Sequence, residues 1–370
     1  MISSLRLRNF KGFLDQSFEF APLTVLTGLN GSGKSSLLQA LLLLRQSYDP
    51  FQLSRLILNG KLARLGNFRD ALFESARQEE IAFEMRTASG SEGSWRFSFA
   101  SQQDRVSEPS GGHPIVGGPL FGGEGFRFLS AERLGPRHYY GTPDDADPLG
   151  IQGEWTPHCL AMHGDQPIGV SEVHHSGVES AHLIRQTEAW VREICPGLRI
   201  HIDRDTATDL VKLGYSFEGQ RDVSNPYRPT NVGFGVSYTL PIVVSILAAR
   251  PGDLILLEGP EAHLHPRGQV KLAELMCRAA RGGVQLIVET HSDHVMNGVR
   301  VAVYKDLAKP SDVCFYFFER GPDWLSEGVR ARRLEVDRNG RVADWPEGFF
   351  DEMDRSLEIL LTPRGEPPKT

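Results

Sequence analysis

The 370-residue chain is 40% hydrophobic and 24% charged, an ordinary globular composition with length for one large domain or two modest ones. Its formal net charge of -7 excludes a surface that is basic throughout, but leaves room for a local basic cleft, so charge alone neither indicates nor excludes nucleic acid binding. Cys159, Cys195, Cys277 and Cys314 lie far apart without CxxC spacing, which fits reduced cytoplasmic thiols and implies neither a disulfide framework nor a zinc site.

The N-terminus alternates apolar and polar residues from Met1, so it reads as a strand over Leu5 to Phe10 and lacks the apolar core of a signal peptide. Ser17 to Phe20 reads as a second short strand, and Leu23 to Thr27 as a buried central one. Ser36 to Arg45 is helical and apolar on most sides. Ile81 to Thr87 and Trp95 to Ala100 pair as a hairpin around Gly90 to Gly93. The stretch from Ser107 to Gly125, rich in Gly, Pro and Ser, predicts a mobile loop or a boundary between lobes, after which Phe126 to Leu129 resumes a strand. Val178 to Ile194 has helical spacing and stops before Pro196 and Gly197. The longest apolar stretch, Tyr238 to Ala249, is broken by Pro241 and falls short of the roughly 20 residues a bilayer requires. Leu254 to Leu257 and Val284 to Val288 flank a helix over Gly268 to Arg281, an alternation that predicts a parallel sheet covered by helices. No internal repeat or sustained heptad is present.

The most specific motif is Gly28-Leu-Asn-Gly-Ser-Gly-Lys-Ser35, which satisfies GxxxxGK[ST] between a strand and a helix. Its glycines let successive backbone N–H groups turn inward around phosphates, and the helix start adds the positive end of its dipole. The pattern predicts an ATP site on Asn30, Gly31, Ser32, Gly33, Lys34, Ser35 and Ser36, with Lys34 bridging the terminal phosphates and the Ser35 hydroxyl on Mg²⁺. The apolar run ending in Glu258 supplies the expected metal-side carboxylate, and His291, at the tip of the next strand, is placed to reach a γ-phosphate.

Phe10-Lys-Gly-Phe13, the loop at 28–35, Gly233-Phe-Gly-Val-Ser237, Glu258-Gly-Pro-Glu-Ala-His-Leu-His-Pro266 and Thr290-His-Ser292 occur in an order that resembles stand-alone prokaryotic ABC-type ATPases of the RecF, SMC and OLD-like group. The resemblance runs from residue 1 to about 300. It implies an α/β P-loop head with a mixed parallel sheet, an antiparallel β lobe and a helical lobe. The core would span about 1–105 and 230–310, with an inserted lobe over about 106–230. The segment 311–370, from Val336 to Gly340 and Trp345 to Glu352, resembles a small C-terminal domain of unknown function.

By position, the resemblance puts Gly235 and Ser237 on the signature segment that touches the γ-phosphate bound by an opposite subunit, so two ATP molecules would be sandwiched in a homodimer. His263 to His265 would run along the seam, with a chelating His pair as the rival reading. Relatives often carry a second acid after the metal-side carboxylate, where it orients the attacking water. Here that position is Gly259, and Glu261 and His291 are the nearest substitutes. Arg133 and Arg137 read either as a phosphate or DNA clamp or as a solvated turn with structural salt bridges, and Asn67 and Arg69 stand where relatives have a sensor loop.

The expected function is therefore a cytoplasmic, ATP-dependent dimerising switch or motor with slow or partner-stimulated hydrolysis. The group's roles in genome maintenance and antiviral defence imply DNA or a separately encoded nuclease as partner, since no nuclease cluster follows His291. Gly259 motivates an alternative, a non-hydrolysing nucleotide-dependent scaffold. A transporter ATPase subunit fits less well, because Gly233 to Ser237 departs from Leu-Ser-Gly-Gly-Gln and the spacing from Lys34 to Glu258 is long.

Overall fold

The computed structural model describes residues 1–48, 55–98, 118–143, 149–343, 345–346 and 348–361. Most of the Gly/Pro/Ser-rich stretch expected to be a mobile loop, and Phe99 and Ala100 of the expected hairpin, lie outside them.

The chain opens with β1 (Ile2–Phe10), β2 (Phe13–Glu19) and β3 (Leu23–Gly28), then α1 (Lys34–Ser47) and the one-turn α2 (Phe68–Ala71). The hairpin β4 (Glu80–Thr87) and β5 (Glu92–Ser98) follows, then β6 (Phe126–Leu129), β7 (Tyr139–Tyr140), α3 (Thr156–His163) and α4 (Leu183–Ile194). β8 (Leu198–Asp205), β9 (Leu210–Phe217), α5 (Phe234–Leu247), β10 (Leu254–Glu258), α6 (Pro266–Arg281), β11 (Gln285–Glu289) and α7 (Asp293–Tyr304) complete the part anticipated as the head. β12 (Val313–Glu319), α8 (Trp324–Glu327), β13 (Arg330–Glu335) and α9 (Glu352–Leu361) lie beyond it.

Three sheets result, with strand orders β2-β1-β4-β5, β13-β12-β3-β11-β10-β6 and β7-β9-β8. In the six-stranded sheet β12, β3, β11, β10 and β6 run parallel and only β13 is antiparallel. Side chains alternate across a strand, so each central strand feeds two cores. Val25, Ile255, Leu257, Leu286, Val288, Phe315 and Phe317 pack on the side of α4 to α7. Leu26, Leu254, Leu256, Ile287, Cys314, Tyr316 and Phe318 pack on the side of α1 and the four-stranded sheet. The buried Gln285 amide joins the two sheets, accepting from Ile2 N at 2.8 Å and donating to Ile2 O at 2.8 Å.

Several expectations need correction. The boundary at 310 cuts through the central sheet, because β12 pairs with β3 and carries β13. The aromatic run of β12 is buried on both faces, which only a central position provides. The tail joins the same core: Phe349, fully buried, meets Phe317 at 5.5 Å and Trp345 at 4.8 Å between ring centroids. The lobe expected over 106–230 is not all inserted either, since β6 belongs to the central sheet and β7, β8 and β9 form one of their own. Pro241 does not break the apolar stretch but sits inside α5, against Gly153, where a Cβ would come within 2.4 Å of the ring. The helix expected from Val178 begins at Leu183, because the chain before it is extended and bridges His182 to Pro167. No helix among the described residues is long and apolar enough to cross a membrane.

Gly298 sets the approach of α6 and α7, since a Cβ there would lie 2.7 Å from Ala273 Cβ and 3.0 Å from Val270 Cα. Gly298→Val should therefore force the helices apart and cost about 1–3 kcal/mol, read as a lower urea midpoint with an unchanged m-value.

Candidate functional site

The phosphate loop joins β3 to α1 and lines a cavity of about 740 Å³, within the roughly 300–1,000 Å³ usual for small-molecule sites. Gly28, Gly31 and Gly33 have φ of 133°, 73° and 99°, which side-chain-bearing residues rarely adopt. At Gly28 a Cβ would also fall 2.4 Å from Phe318 O, so this position needs glycine sterically as well. Asn30, Gly31, Gly33, Lys34, Ser35 and Ser36 all line the cavity. Ser32 is buried beneath the loop, and no group bonds its Oγ.

Lys34 is 3% exposed and donates from Nζ to Gly28 O at 2.8 Å and Leu29 O at 2.7 Å. Burial lowers its pKa, while the negative charges of Glu289 and Glu261 oppose that shift. An anionic ligand would act in the same sense as these carboxylates and favour the ammonium.

The carboxylate that meets Ser35 is Glu289, accepting from Ser35 Oγ at 2.8 Å, and not the expected Glu258. The reason is strand order: β11 lies between β3 and β10, and parallel register sets Glu289 level with Glu258 but one strand nearer the loop. Glu258 instead accepts from Ala131 N at 3.1 Å. Burial raises the pKa of both acids, and at Glu289 the Ser35 hydrogen bond and Lys34 oppose the rise while Glu258 adds to it. Glu289 is 7% exposed, and its Oε2 is buried without a hydrogen-bond partner.

Glu261 accepts from His291 N at 2.7 Å and from Thr290 Oγ1 at 2.8 Å. It thus clamps the end of β11 and sets the position of His291, which lines the cavity. The His291 pKa is lowered by burial and by Lys34, with Glu261 opposing. Gly259 has φ of 52°, and a Cβ there would meet only Ala131, at 3.9 Å. Space for a side chain therefore exists, and backbone conformation is what favours glycine.

Arg133 is neither a solvated salt-bridge residue nor an open clamp. It is 3% exposed and donates to the carbonyls of Ser130 at 3.0 Å, Glu258 at 2.8 Å and Gly259, which fixes the turn after β10. Arg137 is exposed. Asn67 caps α2 in a reciprocal pair with Asp70, while Arg69 lines the cavity.

The signature segment also departs from expectation. Ser237 is 6% exposed with Oγ enclosed beside Tyr215, a full turn inside α5, so its hydroxyl is not presented to a second subunit. Depth along the helix separates the two: Phe234, the first residue of α5, stays 51% exposed, whereas Ser237, one turn further on, is enclosed where the helix enters its core. Gly235 stays close to the surface, and a Cβ on it would fall 2.7 Å from His263 O. His263 packs between Phe234 and Tyr238, whereas His265 caps α6, so they form no chelating pair.

Glu289, Lys11, Arg320 and Trp324 line the cavity but were not singled out from the sequence. The position of Glu289 on a strand tip one residue before Thr290-His-Ser292 was the available signal. Among the described residues no cluster of three or more His, Cys, Asp or Glu side chains could hold a metal ion. A hydroxyl beside a buried carboxylate with a free oxygen matches an ion that takes most of its other ligands from phosphates and water.

Ser237→Arg should unfold the start of α5 by burying an unpaired charge, at a cost on the order of 4 kcal/mol. Gly233→Arg, where a Cβ meets nothing within 4 Å, should leave the thermal midpoint unchanged, so differential scanning fluorimetry of the two variants checks the inward orientation of Ser237.

Comparison with known proteins bears on the same elements. Residues 4–107 match a family model described as "AAA domain", and residues 166–297 one described as "AAA domain, putative AbiEii toxin, Type IV TA system". Residues 309–360 match a protein family of unknown function, DUF3696. No curated protein sequence matches the chain. Among solved structures, an SMC head bound to the C-terminal winged-helix domain of ScpA aligns over 91% of this chain and 98% of its own, at 14% identity and a TM-score of 0.52. An SMC head from Thermotoga maritima (13% identity, 91% and 100% covered) and one bound to a ScpA domain derived from Pyrococcus furiosus (13%, 97% and 98%) give TM-scores of 0.41 and 0.45. AAA-domain models thus match two parts of a chain that shares the SMC-head fold, and a DUF3696 match follows them.

Proposed function

We propose that this chain is an ATP-dependent dimerising switch with slow or partner-stimulated hydrolysis, acting with DNA or a separately encoded effector nuclease. The observation that carries the reading is a separation of surfaces. The cavity is walled by the phosphate loop, β11 and the connector after β12, whereas none of the exposed first turn of α5 lines it. Gly233, Phe234 and Gly235 are left for the cavity of a second copy, as a shared nucleotide site requires.

In such a site Lys34 would leave the loop carbonyls for phosphate oxygens, and His291 would hydrogen-bond a γ-phosphate. Ser35 and Glu289, backed by Glu258, would hold Mg²⁺, whose charge would neutralise that developing on the terminal phosphates. With no side chain at Gly259 and both Glu261 oxygens accepting hydrogen bonds, no carboxylate is free to orient water from the usual position. This supports slow turnover. The same observation favours the second reading, a nucleotide-dependent scaffold that does not hydrolyse ATP.

Light scattering with and without Mg-ATP tests dimerisation. The native chain should dimerise, Lys34→Ala should neither bind ATP nor dimerise, and Gly233→Arg should bind ATP yet remain monomeric. Dimers of Gly233→Arg at native yield would refute the shared-site geometry. For turnover, Gly259→Glu should raise the rate by about 10²-fold, against roughly 1 kcal/mol of strain at the left-handed backbone position. The switch reading gives way to the scaffold if phosphate release by the native chain, alone, with DNA and with the product of its neighbouring gene, never exceeds that of Lys34→Ala.

A further inference from the structure

We infer that Arg320 and Trp324, on the connector between β12 and β13, form the platform that receives the purine base of the bound nucleotide. The inference rests on the nucleotide reading above and extends it to the end of the cavity away from the terminal phosphates.

Topology brings the connector there. β12 pairs in parallel with β3, and Phe318 stands opposite Gly28, so the chain leaves β12 where the phosphate loop begins. It is then pinned across the turn between β1 and β2: Val329 N donates to Gly12 O at 2.7 Å. Gly328, with φ of 83°, passes so close that a Cβ would lie 2.9 Å from Leu14 N and 3.1 Å from Gly12 O. A connector held this closely presents Arg320, Trp324, Leu325 and Val329 to the cavity as a fixed wall facing Lys11 and the loop.

The chemistry of that wall suits a flat aromatic ligand. The Arg320 guanidinium lies over the Trp324 ring, with Cζ 4.1 Å from the centroid. Its Nη2 is the heavy atom nearest to a Cβ built on Gly31, at 3.9 Å, so the pair borders the loop itself. No carboxylate within ion-pair distance neutralises Arg320 among the described residues, and the acid closest in sequence on α8, Glu327, is bonded to Arg330 at 2.6 Å. Phe73, the other aromatic residue of the lining, is 2% exposed and has no open face, whereas Trp324 is half-buried. Lys34, Ser35, Glu289 and His291 occupy the phosphate end, which leaves the connector as the wall with accessible π surface. A base sliding onto this pair would gain stacking from the indole and a cation–π contact from the guanidinium. Purines, with the larger face, would gain more than pyrimidines.

Isothermal titration of the full chain with Mg-ATP, Mg-CTP and inorganic tripolyphosphate tests this. Trp324→Ala should weaken Mg-ATP about ten-fold, as expected for loss of one stacked base, and leave tripolyphosphate within about two-fold of native. Trp324→Phe should recover most of the loss, Arg320→Ala should lose a smaller factor, and the native preference for Mg-ATP over Mg-CTP should shrink in Trp324→Ala. Circular dichroism melting confirms that each variant folds. Native Mg-ATP affinity in Trp324→Ala overturns the platform, and so does an equal loss of Mg-ATP and tripolyphosphate, which would signal a displaced loop. If the native chain binds neither Mg-ATP nor tripolyphosphate, or Lys34→Ala binds both as well as native, the underlying nucleotide reading fails instead.

Discussion

Parallel strands must end on the same edge of their sheet, and this constraint organises the protein. Five strands, drawn from residues near 25, 128, 256, 287 and 316, run side by side, so the segments that follow them meet at one rim. The phosphate loop after β3, the Glu258 turn after β10, His291 after β11, the Arg133 segment after β6 and the Trp324 connector after β12 are neighbours for this reason alone. Ligands of open α/β sheets gather at the carboxyl ends of the strands because helix N-termini and turn backbone groups converge there. The apolar faces of the sheet hold this rim rigid, each strand serving both cores at once.

The rim concentrates acids as well as donors. Glu258, Glu261 and Glu289 lie on two adjacent parallel strands and the turn that follows one of them. Their roles differ with their partners. Glu261 is spent on hydrogen bonds that lock the tip of β11. Glu258 is tied to the backbone of the loop after β6. Glu289 faces the loop hydroxyl and keeps one oxygen unbonded in a buried setting, which is costly for a polar atom unless a ligand or ion completes it. Lys34 shares that setting, and its burial is balanced by the same carboxylates. The rim thus sets a buried ammonium beside a buried carboxylate at the phosphate loop.

The C-terminal segment changes the meaning of the fold. A boundary near 310 looked natural in the sequence because the recognisable motifs end there. Instead β12 inserts next to β3, and its exit supplies a wall of the cavity. Phe349 and Trp345 extend the aromatic packing beneath β12, with the Arg300 guanidinium 5.1 Å from the Trp345 ring and its Nε bonded to Gly340 O. The region matched as DUF3696 is in this way mechanically continuous with the nucleotide end of the sheet.

Local pattern was enough for much of this. Strand, glycine loop and helix over 23–45 follow from apolar runs and turn chemistry within one short window, as do the β4–β5 hairpin and the alternation from 254 to 289, since these depend on sequence neighbours. The P-loop residues were legible for the same reason, and the absence of a side chain at Gly259 needs no coordinates. What the sequence could not determine is which distant elements become neighbours. Strand order inserts β11 between the loop and Glu258, which makes Glu289 rather than Glu258 the partner of Ser35. The docking of α5 on its core, which leaves the first residue outside, encloses Ser237 and exposes Phe234. β12, an unbroken aromatic run without motif, could be recognised as central only once paired with β3. Those outcomes are decided by tertiary packing, because hydrogen-bond register and burial are properties of segments hundreds of residues apart that no local pattern encodes.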